Sequence, residues 1–373
     1  MSVRERIPED IYRRLGKHLA AMGGGVVPRE GLEEILRENF TLLEAEVALA
    51  LPTSVIPLQP VTVNEMMGKV NLPKEKLIDI LEGLSRRGLV FTGKTKQGDR
   101  GYALLQQGFG FPQTWFWKGE KTPFAKRMAD LLLNYYKGKV SDETFKPSKT
   151  LRYQFIPVDE AIEPEMQGVY SYTMLEHVVK QARVIAVAHC PCRMQTQLQG
   201  KGCDHLIEVC LKFDELAEYL IERQMGREVT KEEALQIIKK SAQDGLVHFV
   251  DNALGDVKHN CNCCGCCCWA LSPIKKRKIP RDLIMATYFI RETDEEKCTQ
   301  CGDCVPVCPV DALTHGDGFP VVEEDWCVGC GICVIQCHQS AARLRKKSKQ
   351  TPPQDFKTLY ERILKEKSAK NAR

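Results

Sequence analysis

Residues 298–309 read CTQCGDCVPVCP and residues 327–338 read CVGCGICVIQCH. Both follow C-x2-C-x2-C-x3-C. Three thiolates from one tight loop can wrap three irons of a cubane, and Gly302, Gly329 and Gly331 permit a backbone that curls that closely. The fourth cysteine lies one helical turn further on and reaches across to the neighbouring cluster. The spacing predicts two [4Fe–4S] clusters. Cys298, Cys301, Cys304 and Cys337 are assigned to one, and Cys327, Cys330, Cys333 and Cys308 to the other.

The remaining thiols lie upstream. The chain has 373 residues and 18 cysteines, none before Cys190. Four are Cys190, Cys192, Cys203 and Cys210, and six more fall in eight residues: Cys261, Cys263, Cys264, Cys266, Cys267 and Cys268. The chain opens on MSVRERIPEDIYRRL, which lacks the apolar core of a signal peptide. In a reducing cytoplasm clustered thiols point to metal rather than disulfides. If the 261–268 run is extended, Cys261, Cys263 and Cys267 face one way and Cys264, Cys266 and Cys268 the other, unless Gly265 breaks the alternation. Three thiolates per face, with two from the upstream four, would hold two further iron–sulfur clusters. The competing arrangement is one cubane plus a zinc ion or an unfilled thiol pair, because soft thiolates suit both metals. His189, His205, His259 and His338 stand near these thiols and are read as hydrogen-bonding or surface groups. Arg193 follows Cys192 and can offset cluster charge or form a surface salt bridge.

Outside the cysteines the pattern is mixed α+β. Residues 1–40 read as helical. A helix near Leu42 to Ala50, a short one at Val61 to Val70, and a longer one from Lys74 to Arg87 follow. In the last, Leu77, Ile80, Leu81 and Leu84 share a face and Gly88 ends the helix. Leu89 to Phe91 and Tyr102 to Leu105 read as strands around a polar turn. This order resembles a winged-helix domain over about 65 residues, for which the family implies DNA binding. Thr41 to Leu105 carries eight basic and seven acidic residues, a net of +1. Lys74, Glu75, Lys76, Asp79 and Glu82 alternate in sign on the recognition helix, which argues for a packing or docking module; Lys94, Lys96 and Arg100 lie on the wing. Residues 108–150 read as a connector with an aromatic loop (Phe109, Phe111, Trp115, Phe116, Trp117) and a helix from Pro123. Val184 to Ala188 reads as a buried strand delivering Cys190. The basic tail from Arg343 is expected to be a solvated helix.

The C-terminal repeats resemble bacterial two-cluster ferredoxins over about 55 residues, with Tyr288 to Arg291 as leading strand and Phe319 to Val322 in the hairpin between repeats. His338 stands where that family commonly has proline; it either donates toward a cluster sulfur or faces water. The arrangement Cys190 to Arg193, Cys203, Cys210, Gly245 to His248, Asn252 and Cys261 to Cys268, ahead of such repeats, resembles a group of uncharacterised 4Fe–4S dicluster proteins of anaerobes. That resemblance implies redox work. The expected fold is α+β and multidomain: a helical region (1–40), a winged-helix-like domain (41–107), a connector (108–150), a mixed α/β cysteine-rich Fe–S domain (151–284), a two-[4Fe–4S] ferredoxin-like domain (285–345) and a basic tail (346–373).

The net charge of +4 gives no bulk drive toward nucleic acid, so specific DNA binding is not expected. No run of about 18 apolar residues would span a membrane. Walker and H-E-x-x-H motifs are absent. Gly108, Gly110, Gly200 and Gly202 do not complete a dinucleotide fingerprint. Electrons are therefore expected to pass between redox partner proteins, a donor and an acceptor oxidoreductase, through two [4Fe–4S] clusters and one or two additional Fe–S clusters. The alternatives are an oxidoreductase component with a catalytic Cys261–Cys268 centre, or a redox-sensing winged-helix regulator.

Overall fold

The computed structural model describes residues 10–136, 148–162, 175–316, 318–347 and 351–371. These form two compact units. One holds the residues up to Trp115 with those from Arg127 to Tyr136, and the other holds Phe116–Lys126 with those from Ser148 onward.

The first unit is helical with one hairpin. Its helices are α1 (Ile11–Ala20), α2 (Leu32–Asn39), α3 (Leu42–Leu49), α4 (Val63–Met66) and α5 (Lys74–Arg86), followed by strands β1 (Val90–Lys94) and β2 (Arg100–Leu104), and most of α6 (Pro123–Tyr135). Two capping boxes start helices: Thr41 with Glu44 opens α3 and Thr62 with Glu65 opens α4, each satisfying orphan N–H groups of a first turn. Leu77, Leu81 and Leu84 are buried. Gly88, at φ +74°, ends α5, with the Leu89 N–H reaching back to the Leu84 carbonyl. β1 and β2 pair antiparallel, and Val61 bridges to Tyr102 beside them. Phe109, Phe111 and Trp115 are buried here, as core aromatics.

The second unit is built on a six-stranded sheet. Its elements are β3 (Tyr153–Ile156), α7 (Leu175–Gln181), β4 (Ile185–His189), α8 (Pro191–Leu198), β5 (Glu208–Phe213), α9 (Asp214–Glu222), β6 (Arg227–Glu228), α10 (Lys231–Gln243), β7 (Val247–Asp251), β8 (His259–Cys263) and α11 (Leu271–Lys275). The strand order is β3-β7-β8-β5-β4-β6, every pairing antiparallel. One face is apolar. Val187, Leu211, Phe213 and Val250 pack under Val178, Val179, Ala234 and Ile238 from α7 and α10. Because strand side chains alternate, the opposite face receives Cys210 and Lys212 from β5 and His259, Cys261 and Cys263 from β8.

The C-terminal repeats follow in the same unit. They comprise β9 (Phe289–Thr293), β10 (Leu313–Thr314), β11 (Val321–Val322), α12 (Ile332–Ile335) and β12 (Ala342–Lys346), before a last helix α13 (Phe356–Asn371). β9 pairs with β12 and β10 with β11, both antiparallel. The tail departs from the expected solvated helix. Arg343 to Lys346 lies in β12, and Phe356, Leu359, Tyr360 and Ile363 of α13 are buried. These four recur at i, i+3, i+4 and i+7, one face of a helix, and the Leu254 N–H donates to the Pro353 carbonyl just before it. No helix among the described residues is long and apolar enough to cross a membrane.

Candidate metal centres

Two cavities lie within the C-terminal repeats. One is walled by Cys298, Cys301, Cys304 and Cys337, the other by Cys308, Cys327, Cys330 and Cys333. Each takes three cysteines from one repeat and the fourth from the other, because α12 carries Cys333 and ends just before Cys337, while the first repeat turns at Val305–Cys308. Gly302, Gly329 and Gly331 all have positive φ, at +80°, +64° and +79°. A Cβ at Gly331 would meet Ala161, and one at Gly329 would meet the Phe289 carbonyl oxygen. The curl predicted from the sequence is thus required twice over, by backbone conformation and by space.

Burial pushes the Cys308 and Cys330 thiols up, and Cys333 to about 12. Such thiols become thiolates when a metal replaces the proton. The Ala312 N–H already points at the Cys308 sulfur, at 3.2 Å. For Cys337, burial acts upward but N–H groups of Ala342, Ala341 and Gln339 outweigh it and hold the thiol below its ordinary value. Arg291, on β9, lines both cavities and is 4% exposed; its Nη2 lies 3.8 Å from the Cys304 sulfur. The sequence reading included this residue only as part of a strand. His338 is exposed.

The ten upstream thiols divide into a group of four and a group of six. Cys203, Cys264, Cys266 and Cys267 have their sulfurs all within 4.8 Å of one another. The other six follow one another in a row, each thiol acting on the protonation of the next: Cys190 with Cys192, Cys192 with Cys268, Cys268 with Cys263, Cys263 with Cys261, and Cys261 with Cys210. Along the row a neighbouring thiol leads in pushing Cys190, Cys268 and Cys261 down. Burial leads in pushing Cys192 up, and a neighbouring thiol leads in raising Cys263 and Cys210. Three of the six come from the sheet face described above. Leu211 pairs with Asn260, so the register carries Cys210 toward Cys261. β4 ends at His189 and delivers Cys190, as the sequence predicts, with Cys192 in the first turn of α8.

The expected division of the 261–268 run is therefore altered. Alternation holds through Cys263 and Cys264, but β8 stops at Cys263 and the chain turns over Gly265–Cys267. That turn exchanges Cys267 and Cys268 between the two sets. The upstream four contribute three to one set and Cys203 alone to the other.

Two buried cations accompany these thiols. Arg193 is 1% exposed and faces Cys190, Cys263 and Cys264; its Nη2 donates to the Asn262 carbonyl at 3.1 Å, while Nε and Nη1 meet no protein acceptor. Of its two sequence readings, the surface salt bridge is replaced by a buried cation beside sulfur. Lys212 is also 1% exposed, with Nζ 5.4 Å from the Trp117 ring centre. Burial works to discharge it, but the Cys210 and Cys261 sulfurs raise its pKa on balance. The sequence signal for Lys212 was its place two residues after Cys210, on the same strand face. Among the histidines, His189 Nδ1 lies 3.2 Å from the Trp117 carbonyl oxygen, His205 Nδ1 3.2 Å from Asp244, and His259 Nδ1 3.2 Å from Asp251. Each meets an oxygen rather than sulfur.

Residues 292–314, which contain all four cysteines of the first repeat, match the model of a 4Fe-4S binding domain. The chain is also similar to parts of curated proteins. It is 42% identical over 62 residues to a component of the ion-translocating oxidoreductase complex of Methanosarcina acetivorans, covering 16% of this chain and 20% of that protein. It is 50% identical over 32 residues to Ferredoxin-1 of Rhodobacter capsulatus, covering 9% of this chain and 49% of that protein. The chain thus spans a fifth to about half the length of these relatives. No solved structure matches it.

Proposed function

We propose that the chain is a multi-cluster iron–sulfur electron carrier that relays electrons between a donor protein and an acceptor oxidoreductase in the cytoplasm of an anaerobe. The observation that carries this reading is the pair of cavities in the C-terminal repeats, each lined by four cysteines, three from one repeat and one from the other. Cys298, Cys301, Cys304 and Cys337 hold one [4Fe–4S] cluster, and Cys327, Cys330, Cys333 and Cys308 the other. Each cubane exchanges one electron at low potential. The protein supplies N–H donors to sulfur, the Arg291 charge, and a wall that buries Cys304, Cys327, Cys330 and Cys333. Cys190, Cys192, Cys210, Cys261, Cys263 and Cys268 hold a further iron–sulfur centre, whose charge Lys212 and Arg193 offset. The domain limits are those read from the sequence, with residues 41–107 a winged-helix-like docking module. The similarity to a component of an ion-translocating oxidoreductase complex supports a place among redox partners, and the ferredoxin similarity supports electron transfer.

The test is a reductive titration of anaerobically purified protein followed by EPR. Stepwise one-electron reduction of two cubanes without substrate turnover is the expected result. A chain that binds no iron under these conditions would sink the reading. The second reading, an oxidoreductase component, draws on the six-thiol row, which exceeds the needs of one cubane. Spectral change of an upstream centre on adding a disulfide or thioester would favour it.

A further inference from the structure

The four sulfurs of Cys203, Cys264, Cys266 and Cys267 are packed differently from those of the C-terminal repeats. Cys203 Sγ lies 3.9 Å from Cys264 Sγ and 3.6 Å from Cys267 Sγ, and all four lie within 4.8 Å of one another. A tetrahedral ion with metal–sulfur bonds of about 2.3 Å sets its thiolates about 3.8 Å apart. In a cubane each thiolate binds a different iron, and the irons themselves form a tetrahedron, so the thiolates stand well beyond contact. Among the described residues no other three ligand groups approach one another this closely. The eight cysteines around the two C-terminal cavities thus serve as an internal comparison: the same chain opens its thiols where cubanes are expected and closes them here.

We propose that Cys203, Cys264, Cys266 and Cys267 bind a single tetrahedral metal ion of the zinc class and not an iron–sulfur cluster. Four thiolates and no open position describe a structural site. Binding displaces the thiol protons, and the net negative charge left on the sulfurs faces Arg193, whose buried guanidinium lies against Cys264 with Nε and Nη1 unpartnered. The ion ties the Cys264–Cys267 turn to the 201–206 loop. It thereby fixes the backbone at Gly265, where a Cβ would collide with the Pro309 carbonyl oxygen. Pro309 directly follows Cys308, a residue of the second cavity. Arg277, just after α11, adds hydrogen bonds to the Val310 carbonyl at 3.2 Å and the Asp311 carbonyl at 2.6 Å. The site is a staple that holds the cysteine-rich turn against the end of the first repeat.

This site stands apart from the relay proposed above, since its metal count does not depend on the potential or the partners of any cluster. The experiment uses the full chain, purified anaerobically, as wild type and as Cys203→Ser and Cys266→Ser; Cys266 is exposed, so its variant disturbs packing least. Zinc, iron and acid-labile sulfide are measured per chain, and wild type is loaded with Co2+ as a spectroscopic probe. The expected result is loss of one zinc in each variant with iron and sulfide unchanged, and intense tetrahedral thiolate–cobalt absorption in wild type. Loss of one iron without sulfide also upholds a mononuclear site. Loss of about four irons with matching sulfide, or no change in any metal with no cobalt spectrum, overturns it.

Discussion

Arg291 is the residue on which the two C-terminal cavities converge. Its side chain is buried, it lines both, and its Nη2 faces the Cys304 sulfur. Net charge and hydrogen bonds to sulfur are what set the potential of an iron–sulfur cluster. A cation here stabilises the reduced, more negative state of both. Arg291→Gln is therefore expected to lower both cubane potentials by roughly 60 mV, a tenfold change in a one-electron equilibrium, as read by EPR-monitored redox titration. Potentials that stay in place, with both signals intact, would remove Arg291 from this role. The residue stood in a stretch the sequence identifies as a strand, but a strand does not declare which cavities its side chains enter. Arg193 was more legible, because it adjoins Cys192. What could not be read was its burial, which separates a cluster counter-charge from a surface pair.

At the scale of elements, α13 and the first-unit hairpin make opposite points. The tail reads as solvated because its charges outnumber its apolar residues, yet Phe356, Leu359, Tyr360 and Ile363 carry a helical period and are buried. Burying such a side chain is worth about 1.5–3 kcal/mol. Removing residues 351–373 should therefore lower the melting temperature of the metal-loaded protein by many degrees, and an unchanged melting curve would show that α13 contributes nothing. In the hairpin the sequence reading rests on charge. Lys74, Glu75, Lys76 and Asp79 are exposed on α5, and Arg100 of β2 is tied to Glu82 at 2.7 Å, which leaves fewer cations for phosphate. Residues 41–107 are expected to bind duplex DNA no tighter than about micromolar at physiological salt, in the range of non-specific contacts. A footprint on a defined sequence at nanomolar protein would restore the regulator. The helices and hairpin themselves were legible because capping boxes, Gly88 and the Leu77–Leu81–Leu84 face are all local signals.

For the whole molecule, legibility follows the distance over which ligands are assembled. The C-terminal repeats bring three thiols together within seven residues, so spacing alone predicts both cavities and the crossed fourth cysteine. The ten upstream thiols are assembled by β4, β5, β8, α8 and two loops, and only the register and the turn at Gly265 decide which sulfurs meet. Their division into four and six was therefore beyond the reach of spacing. The central claim is that the C-terminal repeats hold two cubanes and that a separate iron–sulfur centre lies upstream. The most direct measurement is iron and acid-labile sulfide per chain, on anaerobically purified protein, in wild type and in a variant with Cys298, Cys301, Cys327 and Cys330 all replaced by serine. The account predicts that the variant loses about eight irons together with the ferredoxin-like EPR signals, while the iron and sulfide of the upstream centre remain. A variant that retains no iron would contradict the upstream centre, and one that loses none would contradict the cubanes.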